Sequence, residues 1–108
     1  MEFAELTEEQ HRQFLRNVIA NHERRYLSYE MDAKRYQTFL KELDAGGFGN
    51  MPKQVRQQKA KHWQQQLSVA QMNMRETELS IDDAKARLAA LPDPPAGEEA
   101  DEEALADG

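Results

Sequence analysis

No cysteine occurs in the chain, which removes disulfides, thiolate nucleophiles and thiolate metal sites from consideration. Long apolar runs are also missing, and none approaches the ~20 residues that span a bilayer. The first ten residues, MEFAELTEEQ, are acidic and lack the basic and apolar regions of a secretory signal. Glycine and proline are scarce and confined. None falls between residues 7 and 44 or between 53 and 91. Acid is missing from one stretch, residues 45–75, which holds Lys53, Arg56, Lys59, Lys61 and Arg75. These absences describe a soluble, intracellular chain with long uninterrupted elements and an uneven charge distribution.

What is present is helix-forming. The 108 residues are one small domain, 39% hydrophobic and 31% charged, rich in Glu, Gln, Lys, Arg and Ala. Val, Ile, Leu and Phe are too sparse for a thick globular core. This is coiled-coil composition. Thr7 followed by Gln10 is a capping-box pattern, and Glu8 and Glu9 suit the positive end of a helix. From there Leu15, Ile19, His22, Tyr26, Tyr29, Ala33, Tyr36, Leu40 and Leu43 recur at alternating gaps of four and three. That is a heptad seam, and it predicts a first helix over 7–44. The stretch 45–51, with Gly46, Gly47 and Gly49, predicts a reversal in which Gly46 or Gly47 caps the helix. Asn50 and Pro52 mark a second start. Ala60, Trp63, Leu67, Ala70, Met74, Thr77, Ile81, Ala84, Leu88 and Leu91 then alternate gaps of three and four, predicting a helix over 52–91 that Pro92 ends.

The two seams fit one another. Folding at the glycines pairs residues whose numbers sum to 99 or 100: Leu40 with Ala60, Ala33 with Leu67, His22 with Thr77, Leu15 with Ala84. Large residues face small ones at several of these layers, as close packing requires. The expected fold is all-α: an antiparallel two-helix coiled-coil hairpin, with a six-residue N-terminal segment before it and an acidic C-terminal tail after it. The tail, residues 92–108, carries seven acids and no base. On composition it is disordered unless a partner holds it.

The net charge of −6 therefore divides into a tail of −7 and a body of about +1, from 13 acids against 14 bases. His11, His22 and His62 do not share a face at ligand spacing, and no HExxH pattern occurs, so no metal and no cofactor are expected. A two-helix rod offers no enclosed pocket for catalysis or for a small-molecule substrate. His22 opposite Thr77 reads as a polar layer fixing register, and Tyr26, Tyr29, Tyr36 and Trp63 read as seam packing.

Candidate interaction residues are those the seam leaves over. Phe14, Val18 and Phe39 border the seam, and Leu27 with Met31 forms an outer i, i+4 pair. Phe48, alone among the glycines, has two readings. It folds back on Leu43 or Val55 as a local cap, the favoured reading, or it is an exposed anchor. Lys53, Arg56, Lys59 and Lys61 are candidate phosphate contacts. In the tail, Glu98, Glu99, Asp101, Glu102 and Glu103 can dock on a basic partner or mimic nucleic acid, with Leu105 as an apolar anchor.

The expected function is that of a non-catalytic adaptor or structural assembly protein, with a protein partner or self-association. Small acidic helical hairpins occur among phage scaffolding and accessory proteins, prokaryotic adaptor subunits and protein inhibitors of host enzymes. That likeness is one of architecture, which does not fix function. The location follows the same reading: cytoplasm, or the virion for a phage component. The alternative is a regulator of a nucleic-acid-handling system, acting through the acidic tail or through the basic stretch 53–61.

Overall fold

A computed structural model of the chain describes residues 7–92. Residues 1–6 and 93–108 lie outside the described part, and with them the expectations placed on Glu98, Glu99, Asp101, Glu102, Glu103 and Leu105. Two helices, α1 (Glu8–Asp44) and α2 (Lys53–Ala89), run antiparallel as a hairpin. Each has 37 residues and is therefore about 55 Å long.

The start of α1 is built as its letters require. The Gln10 backbone N–H donates to Thr7 Oγ1 at 3.1 Å, and the Thr7 N–H donates to Gln10 Oε1 at 3.0 Å. Two of the four orphan donors of the first turn are thereby satisfied. Its end is a Schellman turn. Gly47 N–H reaches Glu42 O at 2.8 Å, and Gly46 N–H reaches Leu43 O at 3.2 Å. Gly46 sits at φ +85°, where a Cβ is costly, so glycine belongs there.

The start of α2 is different. Pro52 is its N-cap residue, no side chain caps it, and its first turn holds no acid. Helix α2 ends at Ala89, two residues before the expected Leu91. Leu91 N–H instead reaches back three residues to Leu88 O, the tighter turn that often closes a helix.

Burial follows the heptads. Among the described residues the buried hydrophobic side chains are Leu15, Ala33, Leu43, Leu67, Ala70 and Ala84, all of them seam positions. Ala33, Leu67 and Ala70 form the centre of the seam, with Tyr36, Leu40 and Met74 packed against them. Each of the three buried leucines contributes on the order of 2 kcal/mol. Buried Thr77 is satisfied within its own helix, donating to Asn73 O at 2.6 Å. The ion pairs Glu30–Lys34, Asp32–Arg35, Arg75–Glu78 and Asp83–Arg87 join neighbours on one helix and contribute little.

One buried residue was not in the predicted seam. Arg12 is 5% exposed, and continuing the alternation back from Leu15 by three places it in the seam. Its Nη1 lies 3.6 Å from Glu9 Oε2, yet Nε and Nη1 are buried without a hydrogen-bond partner. Taking a guanidinium out of water with so few partners carries a desolvation penalty.

Two measurements check the packing. Ala33→Cys with Leu67→Cys should cross-link within one chain under mild oxidation, whereas Ala33→Cys with Leu88→Cys should not. Arg12→Met keeps the packed stem and removes the charge. It should hold or raise the melting temperature, and a loss above ~1 kcal/mol would mean that a carboxylate supports the guanidinium.

Candidate functional site

The turn is held by a side chain from the second helix. Arg56 Nη1 donates to Leu43 O at 3.0 Å, and Nη2 donates to Gly47 O at 3.1 Å and to Gly49 O at 2.8 Å. The planar guanidinium fork thus gathers one carbonyl from the last turn of α1 and two carbonyls of the loop. Of the four cations expected to meet phosphates, Arg56 is therefore a loop clamp. Lys53, Lys59 and Lys61 are exposed.

Aromatic side chains gather at the same end of the hairpin. The Tyr36 and Phe39 rings meet edge to face at 6.0 Å, Phe39 and Trp63 at 5.2 Å, and Trp63 and Phe48 at 5.5 Å. The result is a continuous stripe of four rings that climbs from α1 across to α2 and out onto the turn. Cations stand beside it: Lys59 Nζ is 5.6 Å from the Trp63 ring centroid, and the Arg35 guanidinium is 5.0 Å from that of Tyr36.

Phe48 is the outer end of the stripe. It folds back, but the ring it meets is Trp63, and it remains 49% exposed. Its backbone is left-handed, at φ +68°. For a bulky residue that conformation is a genuine outlier costing roughly 1–2 kcal/mol. A glycine at position 48 would avoid the cost.

The other candidates separate into two places. Phe14 and Val18 line an open groove near the free ends of the helices together with His11, His22 and Leu79. Leu79 belongs with Phe14 although no spacing in the sequence links them. Leu27 lines a smaller groove with Tyr26, Glu78 and Ile81, while Met31 stands clear at 71% exposure. Burial, and then the negative charges of Glu78 and Glu30, push the Tyr26 phenol above its ordinary value, and a hydrogen bond to Glu78 adds to this. Phe39 joins the tip stripe, so the predicted outer residues do not form one surface.

Among the described residues no three His, Asp or Glu side chains gather to hold a metal ion, and no helix is long and apolar enough to cross a membrane. The chain matches no protein-family profile, no curated protein and no solved structure.

The clamp makes a direct prediction. Arg56→Ala takes the guanidinium donors from the carbonyls of Leu43, Gly47 and Gly49, of which Leu43 O keeps the Gly46 N–H, and should cost on the order of 2 kcal/mol in chemical denaturation. Arg56→Lys should recover little of it, because an ammonium cannot fork across the same acceptors.

Proposed function

We propose that this protein is a non-catalytic adaptor or assembly component, a stiff hairpin that offers its turn to a protein partner. The observation that carries the reading is Phe48. A half-exposed aromatic held in a left-handed conformation, where glycine is cheaper, supports a role in binding. The ring is backed by Trp63 and Phe39, so it is presented rigidly and loses little freedom when a partner covers it. Aromatic anchors of this kind dominate protein interfaces. Exposed Lys59 stands beside Trp63, and Lys53 and Lys61 are exposed on the same stretch 45–75 that holds no acid, which favours an acidic partner surface. The nucleic-acid alternative is weakened because Arg56 is already engaged by carbonyls.

Two variants test the reading in affinity capture from the native host. Phe48→Ala should lower partner binding by ~2 kcal/mol or more. Its stability should fall by only ~1 kcal/mol, the worth of one ring pair. Leu27→Gln with Met31→Gln should leave both helicity and capture intact. Capture lost with the Leu27/Met31 pair and kept with Phe48→Ala would move the docking site to the outer flank and overturn the role of the tip.

A further inference from the structure

The two ends of the rod are unlike. Residues 41–63, around the turn, hold five bases and two acids, a net +3. Residues 7–23 with 76–92, at the free ends of the helices, hold four bases and seven acids, a net −3. The segment that follows Pro92, DPPAGEEADEEALADG, adds seven acids and no base. Its own end of the hairpin therefore repels it. Its acidic block, residues 98–103, lies at most eleven residues beyond Pro92, a reach of about 40 Å when fully extended. The turn is about 55 Å away, the length of α2. The block falls short of Lys53 and Phe48 of its own chain.

We infer that the acidic block of one copy docks on the turn of another. This rests on reading the turn as a protein-docking end, and it names the partner. The match is chemical at three points. Glu98, Glu99, Asp101, Glu102 and Glu103 meet Lys53, Lys59 and Lys61. The start of α2 lacks both a capping side chain and an acid in its first turn, so a carboxylate supplies what the chain leaves out there. Leu105, two residues beyond the block, is the apolar residue for the exposed Phe48 ring and the partly buried Trp63 ring behind it. A tail-to-tip contact joins different surfaces, so it builds either a reciprocal pair or an open series of chains.

Three full-length proteins test this by mass in solution, with the single tryptophan, Trp63, as a reporter inside the site. One is the wild type. One has a neutral block: Glu98→Gln, Glu99→Gln, Asp101→Asn, Glu102→Gln and Glu103→Gln. One has an altered turn, Phe48→Ala with Lys59→Glu. Lys59→Gln alone serves as a second, milder turn variant, and circular dichroism checks that each is folded. Wild-type mass should rise above 12.5 kDa with concentration. It should fall back in about 1 M salt, where exposed charges are screened. Each variant alone should associate about tenfold more weakly or worse. Mixed, the neutral-block and altered-turn chains should form a one-to-one pair and shift Trp63 emission of the former.

A wild type that stays a single chain at every concentration overturns the inference, as do variants that associate like the wild type. So does a turn that binds an oligothymidylate more tightly than it binds the altered-turn chain. A wild type that stays a single chain yet captures a host protein through Phe48 overturns only this inference and leaves the adaptor reading standing.

Discussion

Arg56 ties the reversal together. Its fork reaches the last turn of α1 through Leu43 O and the loop through Gly47 O and Gly49 O. Without it, carbonyls in a tight turn would face one another with few donors to share. The bond from residue 56 to residue 43 obeys the same number sum, 99, that pairs the seams. The clamp therefore sets at the turn the register that every later layer repeats. A slip of one heptad would keep apolar facing apolar along much of the rod but would break this contact. Register in a two-helix hairpin needs such a fixed point, because a periodic seam alone is nearly indifferent to a shift by its own period.

Downstream of that point the packing is thin. Two helices bury one stripe each, and the buried side chains are mainly leucine and alanine. Alanine at 33, 70 and 84 lets the backbones approach, and the larger Tyr36, Leu40 and Met74 then cover the contact of Ala33 and Ala70 while staying partly buried. Stability in such a rod accumulates with length rather than depth. The same geometry explains why Phe14, Leu27, Met31, Met72 and Leu79 remain in solvent. A hairpin has no second layer to receive them, so scattered exposure is the ordinary outcome. Phe48 differs from these because its exposure carries a backbone cost, and the others carry none.

The fold was legible because it is written in a period. The seam, the capping box and the glycine reversal each involve neighbours in sequence, and their signals are local. What was missed involves polar or non-periodic contacts. Arg12 occupies a seam position that the alternation reaches, but a search by apolar letters stops at Leu15. Arg56 looks like a solvated cation in sequence, since a side chain bonding to distant carbonyls leaves no pattern. Trp63 was assigned to the seam by its heptad position. It does lie at the seam, but an indole is too wide for a two-helix interface, and its outer face is left for Phe39 and Phe48 to cover. The stripe of rings arises from that excess width. No spacing rule could join Phe48 to Trp63, because the loop between them follows no period.

The charge pattern gives the rod a direction. Its turn is net +3 and its free ends net −3. Two such rods laid side by side in parallel would set like poles together, whereas an antiparallel or end-to-end arrangement sets each turn against acid. The field thus selects among arrangements before any contact forms, and it acts over about a Debye length, ~8–10 Å at ordinary salt. Charge alone would leave such a contact loose and unspecific. The ring stripe supplies what the field lacks: a rigid apolar surface whose burial depends on fit. A segment that offers acid followed by a single leucine meets both demands at once.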